Sequence, residues 1–191
     1  MKSIRILAGD LKNRSISFGD QSGVRPPSHY MRCMVFNVLV HRFSVHGVGT
    51  EKPLANMSVL DLFAGTGSYG VEALSRGACH VTFVDTNAVM MGRLNDALTR
   101  WGQADKVQMI KRSYPCDVPC PVGGFDCIIL DPPYDHCHER VTEYMTHATD
   151  LLADHGVMVL EYPDLIDTDA LTCVVSKTQG KKRVSFLTRS T

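Results

Sequence analysis

The chain has 191 residues, 44% of them hydrophobic, and its 20 Lys and Arg balance 20 Asp and Glu. That length suits one domain with a full-sized core plus a small extension; no apolar run approaches the ~20 residues that a membrane helix needs, and the apolar part of residues 1–7 is too short for a signal peptide. Seven cysteines, odd in number and scattered, point to reduced thiols in a cytoplasmic protein rather than to a disulfide framework.

In chain order, residues 3–8 and 14–18 read as two short strands around a turn that contains Gly9, Asp10 and Asn13. Pro26 and Pro27 keep the segment 23–27 extended. Ser28 then offers an N-cap to a helix over 29–43, with Met31, Met34, Val35, Val38 and Leu39 on its apolar face. A glycine-containing linker at 47–50, with Pro53, leads to the main domain. From residue 58 strands and helices alternate, the pattern of a parallel sheet with crossover helices. Strands are expected at 58–62, 80–85, 107–111, 125–130 and 156–161, and helices at 69–76, 87–101 and 138–153. Two more strands, 171–176 and 183–188, joined by 177–182, finish the chain as a hairpin. The fold class is therefore α/β: a doubly wound, Rossmann-like sheet domain at 53–191, preceded by a basic hairpin-and-helix extension at 1–52.

The zero net charge hides an uneven distribution. Residues 1–50 carry seven Lys/Arg against two Asp/Glu, residues 51–176 eight against eighteen, and residues 177–191 five against none. A polyanion would be drawn to both ends. No metal site is expected: Cys116 and Cys120 lie four apart without a second pair, and His136-Cys137-His138 lacks a fourth ligand.

Two motifs carry the chemistry. The first, Asp61-Leu62-Phe63-Ala64-Gly65-Thr66-Gly67-Ser68-Tyr69-Gly70, places G-x-G-x-x-G between a strand and a helix. Asp85 follows twenty residues after Gly65, at the end of the next strand, where an acid can bind ribose hydroxyls. Such a turn alone suits a dinucleotide as well as S-adenosylmethionine. Asp61, however, would sit poorly beside a pyrophosphate and well beside an ammonium group, which favours the methyl donor. Ser113, after the third strand, is a candidate adenine contact.

The second motif is Asp131-Pro132-Pro133-Tyr134, at the carboxyl end of the apolar run 125–130. The lone pair of an exocyclic amine on a nucleobase is delocalised into the ring, so the nitrogen is a poor nucleophile. A carboxylate and a carbonyl that accept its hydrogen bonds draw it toward tetrahedral geometry and aim the lone pair at a methyl group. Pro132 and Pro133 fix φ and have no N–H to donate. Tyr134 can stack on a base swung out of its helix.

Together with Arg5-Ile6-Leu7-Ala8-Gly9, Arg25-Pro26, Arg32, Phe36-Asn37 and Gly70-Val71-Glu72-Ala73-Leu74-Ser75-Arg76-Gly77-Ala78, these motifs make the chain resemble the RsmD type of bacterial 16S ribosomal RNA guanine-N2 methyltransferases. The resemblance spans residues 4 to about 161. It implies a seven-stranded class I methyltransferase sheet, S-adenosylmethionine as donor, methylation of one guanine N2 in small-subunit rRNA, and an N-terminal hairpin that touches RNA. On this reading Asp61, Phe63, Gly65, Gly67, Asp85 and Ser113 surround the donor. Asp131, Pro132, Pro133 and Tyr134 hold the base, while Lys12, Arg14, Arg25 and Arg32 hold phosphates. The expected partner is 16S rRNA, naked or in an assembling subunit, with the enzyme a monomer. Departures from the family's pattern at Asn13, Pro27, Cys33 and near Gln179 bear on RNA docking rather than on chemistry. Competing readings are an N6-adenine or N4-cytosine DNA methyltransferase, which would need a target-recognition insertion that the closely spaced strands leave no room for, and a non-catalytic RNA-binding ribosome-assembly module.

Overall fold

The computed structural model describes residues 2–18, 27–43, 50–166 and 168–190; the expected extended stretch at 23–26, with Arg25, and the linker residues 47–49 lie outside the described residues. Strands β1 (Lys2–Arg5) and β2 (Ser15–Phe18) pair antiparallel, Ile4 opposite Ile16. Helix α1 (His29–Val38) begins at Ser28, whose hydroxyl accepts from the Met31 N–H, and passes into a π-helical turn over Leu39–Phe43. The alternating part then runs β3 (Ser58–Leu62), α2 (Ser68–Ser75), β4 (His80–Val84), α3 (Ala88–Arg100), β5 (Val107–Ile110), β6 (Phe125–Leu130), α4 (His138–Leu151) and β7 (Leu152–Glu161). The closing hairpin is β8 (Leu171–Gln179) and β9 (Lys182–Arg189).

Seven strands form one sheet in the order β5-β4-β3-β6-β7-β9-β8. The first five are parallel, and β9 pairs antiparallel with both β7 and β8. This is the seven-stranded sheet that the resemblance implies. From β3 the chain goes to β4 on one side, while β6 and β7 lie on the other, so the loops after β3 and β6 face each other where the order reverses. That crevice is where open α/β sheets bind ligands. Every residue of β3 is buried, as expected of a parallel strand covered on both faces. One apolar layer holds Val59, Val71, Phe83 and Leu94 with the partners of α2 and α3. The other holds Leu60, Ile128, Tyr144 and Met158 beneath α4. No helix among the described residues is long and apolar enough to cross a membrane.

The hairpin and α1 share the first of these layers. Ile6, Leu11, Ile16, Met31, Val35, Phe36 and Leu39 belong to the same buried cluster as Val59 and Phe83. At its centre is Glu72, fully buried on α2. Its Oε1 accepts from the Leu7 N–H at 2.6 Å and from Arg32 Nη1 at 3.2 Å, and Oε2 pairs with Arg76 Nη2 at 3.3 Å. Arg32 also donates to the Arg5 carbonyl at 3.0 Å. The expected first strand, 3–8, accordingly ends early: Leu7 turns its N–H to Glu72 instead of to β2. Boundaries also differ at β7, which begins at Leu152 directly after α4 rather than at 156 because Leu152 already pairs with Phe125 of β6, and in the closing hairpin, where pairing continues to Gln179 opposite Lys182 and only two residues make the turn.

Removing one member of a buried charge network strands the others without water or partner, which costs about 3 kcal/mol or more. Glu72→Ala is therefore expected to lower the unfolding free energy by about that amount in urea titrations, and Glu72→Gln, which keeps an acceptor for Leu7, by less. A loss below about 1 kcal/mol for Glu72→Ala would contradict this account of how the extension is held.

Candidate active site

Four carboxylates mark the carboxyl ends of parallel strands: Asp61 in β3, Asp85 after β4, Asp131 after β6 and Glu161 closing β7. Beside them opens a cavity of about 620 Å³, within the range of small-molecule sites. Phe63, Gly65, Asp85, Ser113, Asp131, Pro132, Pro133 and Tyr134 all line it. The structure thus brings together most of the donor and base candidates, from loops more than sixty positions apart in sequence.

The glycine turn is built from the strand outward. Phe63 takes φ +59°, a left-handed conformation that costs a non-glycine residue roughly 1–2 kcal/mol. It aims the Phe63 ring at Tyr144, 4.9 Å between centroids, and at Tyr114, 6.2 Å. Gly65 follows at φ +54° and donates its N–H to Asp85 Oδ2 at 2.6 Å. Asp85 Oδ1 accepts from the Asn87 N–H at 2.7 Å, and Asn87 in turn caps α3. Asp85 therefore ties the turn to the start of α3 while remaining partly exposed to the cavity. Gly67 and Gly70 serve packing: a Cβ at Gly67 would run into Leu94, and one at Gly70 into the Phe83 ring.

Three expectations are corrected here. Asp61 is 1% exposed and is not on the cavity wall; its Oδ2 accepts from the Gly70 N–H at 2.9 Å. It caps the first turn of α2 from behind, satisfying an N–H that the helix cannot. Gly67 is likewise off the wall. Arg32 is also corrected as a phosphate contact, because its guanidinium is buried against Glu72. Lys12 and Arg14 are exposed, but Arg14 stands over Trp101, just past the end of α3, 5.6 Å from its centroid. The thirteen residues of α3 separate that end from the cavity by about 20 Å. Arg25 lies outside the described residues.

The Asp131–Tyr134 turn is anchored from several sides. The Tyr134 hydroxyl donates to Glu161 Oε1 at 2.7 Å. The Pro133 carbonyl accepts from the His136 N–H, Tyr144 and His136 meet at 3.1 Å, and the Tyr162 hydroxyl donates to the His136 carbonyl at 3.0 Å. Among the described residues, none has a hydrogen bond to the Asp131 carboxylate. Burial pushes its pKa well above the ordinary carboxylate range; the charge of Glu161 adds to that and Lys182 opposes it. Sequence reading missed Glu161, Lys182 and the supporting tyrosines, Tyr69 and Tyr144. Glu161 had a signal, a lone acid closing an apolar strand as Asp131 follows one.

The residues present fit a donor without phosphate. The Gly65 N–H, which a pyrophosphate would need, is already taken by Asp85, and the Asp85 carboxylate would repel a phosphate there. Asp85 keeps lone pairs for ribose hydroxyls, and the Phe63, Tyr114 and Tyr144 rings offer an aromatic wall for a purine.

Comparison with known proteins bears on the family and the fold. The family described as "Conserved hypothetical protein 95" matches residues 4–188. Relatives named "Ribosomal RNA small subunit methyltransferase D" include one from Escherichia coli (strain K12), 27% identical over 83% of this chain and 74% of its own. Another, from Buchnera aphidicola subsp. Baizongia pistaciae, is 23% identical over 96% of this chain and 90% of its own. The solved structure of yhhF from Escherichia coli has the same fold, with TM-score 0.79 over 98% of both chains at 21% identity.

Asp61 yields a pH test. Burial pushes its pKa up to about 8, with the Gly70 N–H opposing and the Asp85 charge adding. The native state then holds a proton that the unfolded chain releases near pH ~3.9, so stability falls as pH climbs from there toward the native value. Asp61→Asn keeps an acceptor for Gly70 and has no charge to bury. Its melting temperature is expected to fall less between about pH 5 and pH 8 than the wild type's; equal falls in scanning calorimetry would contradict the assignment.

Proposed function

Because the chain belongs to the Conserved hypothetical protein 95 family of RsmD-type methyltransferases, we propose that it methylates the exocyclic N2 of a guanine in 16S ribosomal RNA. The observation that carries this reading is the Asp131 carboxylate: on the cavity wall, partly buried, and without a donor among the described residues. An acceptor kept vacant beside two prolines is what an NH2 group needs and what a binding module has no use for.

S-adenosylmethionine supplies an electrophilic methyl group on a sulfonium centre. Asp85 would hold its ribose hydroxyls, and Phe63, Tyr114, Tyr144 and Ser113, which line the same cavity, would hold its adenine. Asp131 accepts an N–H of the guanine amine, and the Pro132 carbonyl accepts the other. Pyramidalised in this way, the nitrogen presents its lone pair along a fixed direction, so the contribution of the protein is orientation and proximity. The amine proton becomes acidic as the new bond forms and is held at the Asp131 carboxylate, whose raised pKa suits it to receive a proton. Tyr134 stacks on the base. Arg112, Arg140 and Lys182, which border the cavity, lie where the backbone flanking a flipped nucleotide must run. Lys12 and Arg14 meet RNA farther out. The enzyme acts in the cytoplasm as a monomer, on rRNA or an assembling small subunit.

The test separates base from donor. Purified protein with radiolabelled donor and 16S rRNA is expected to yield N2-methylguanosine on nucleoside digestion. Asp131→Ala should slow single-turnover transfer about 100-fold or more and leave donor affinity within about twofold. Asp85→Ala should do the reverse first, weakening donor binding by about 1–3 kcal/mol in calorimetry. Transfer by Asp131→Ala within a few-fold of the wild-type rate would overturn the role given to the carboxylate, and a product other than N2-methylguanosine would overturn the substrate.

A further inference from the structure

Glu161 is 2% exposed, and nothing in amine activation uses it. Its Oε2 accepts from the Tyr69 hydroxyl at 2.7 Å, and its Oε1 accepts at 2.7 Å from both the Tyr134 hydroxyl and Lys182 Nζ. Lys182 opens β9 directly after the two-residue turn of the closing hairpin, and its Nζ also stands 5.1 Å from the centre of the Tyr134 ring. One ammonium group thus holds Tyr134 twice, through the carboxylate that its hydroxyl bonds and through the ring itself. Across the cavity mouth, the hairpin turn meets the start of α1, where the Ser28 hydroxyl lies 3.5 Å from Gln179 Oε1 and Pro27 shares the wall with Lys182.

Charge sharpens the role. The groups facing the Asp131 carboxyl are Glu161 from β7, Asp61 from β3 and Lys182 from β9, with the Tyr69 phenol of α2 and Tyr134 beside them. Burial and the charges of Glu161 and Asp61 favour the protonated acid, whereas Lys182 favours the carboxylate. A protonated Asp131 would donate a hydrogen bond where the amine needs an acceptor. We propose that Lys182 is a positioning residue for methyl transfer, bracing Tyr134 through Glu161 and opposing the protonation of Asp131. The inference rests on the reading of Asp131 as the amine's acceptor. It also gives the closing hairpin a task at the site: the strand order brings β9 beside β7, and Lys182 with it to Glu161.

Three full-length proteins test it: wild type, Lys182→Met and Lys182→Arg, each confirmed as folded by its donor affinity. The titration of Asp131, followed without RNA by the carboxyl carbon resonance of labelled aspartate and assigned with Asp131→Asn, is expected to move to higher pH by about half a unit or more in Lys182→Met. Lys182→Arg should bring it back. With rRNA at saturation, the acid limb of the single-turnover rate should move with that midpoint, and Lys182→Met should be about tenfold slower at neutral pH. An unmoved Asp131 midpoint in Lys182→Met overturns the proposal. So does a rate loss that saturating RNA abolishes, which would make Lys182 a phosphate contact only. If the wild type methylates no rRNA, the substrate reading fails while the carbon titration still decides whether Lys182 governs Asp131.

Discussion

A carboxylate with no hydrogen-bond donor among the described residues is an expensive group to keep at the edge of a protein core, and Asp131 is that group here; the proposed chemistry needs it left so for the substrate amine. Ionised and out of water such a group costs several kcal/mol; burial and the neighbouring acids favour its protonation, and Lys182 opposes it. The nearby donors go elsewhere. Pro132 and Pro133 bring no N–H to the turn. The nearby hydroxyls of Tyr69 and Tyr134 and the ammonium of Lys182 all point to Glu161 instead. Glu161 accepts from all three, and Lys182 acts on Asp131 through its charge.

The same economy recurs at the donor side. Asp61 and Asp85 are strand-tip acids like Asp131, yet each spends its oxygens on backbone: Asp61 on Gly70, Asp85 on Gly65 and Asn87. Those bonds stiffen the turn between β3 and α2 and the start of α3. A cavity wall set by backbone hydrogen bonds moves less than one set by side-chain packing alone. The left-handed Phe63 sits at the base of this turn, where local strain serves to aim an aromatic ring into the site.

Much of this was legible in the sequence for physical reasons. Parallel strands covered on both faces read as unbroken apolar runs, so β3 and β6 fall at 58–62 and 125–130 as expected. The glycine and proline motifs mark backbone conformations that few other residues adopt. What stayed hidden depends on partners far away in the chain. Arg32 lies on an amphipathic helix and reads as a surface cation, but its partner Glu72 is 40 positions on. The same Glu72 ends the first strand early by capturing Leu7. Asp61 looks like a ligand because it stands beside the glycine turn, and only the fold reveals that it faces α2 from behind. The run 177–182 reads as a polar loop because β8 lies at the sheet edge, where exposed polar and lysine side chains are ordinary; within it is the lysine that reaches Glu161.

Charge patterning gave direction without position. The basic ends of the chain fold to different places: the tip of the β1–β2 hairpin packs by α2 and α3 at their carboxyl ends, as the Asp10 N–H to Ser75 carbonyl bond marks, and Lys182 stands at the cavity. A large RNA can span both. The central claim, methylation of a single guanine amine in small-subunit rRNA, is tested most directly by mass spectrometric mapping of modified nucleosides in 16S rRNA from cells with and without the gene. The account predicts one N2-methylguanosine lost in the deletion and restored by the wild-type gene but not by Asp131→Ala. An unchanged set of 16S modifications, or a loss at an adenine or cytosine, would contradict it.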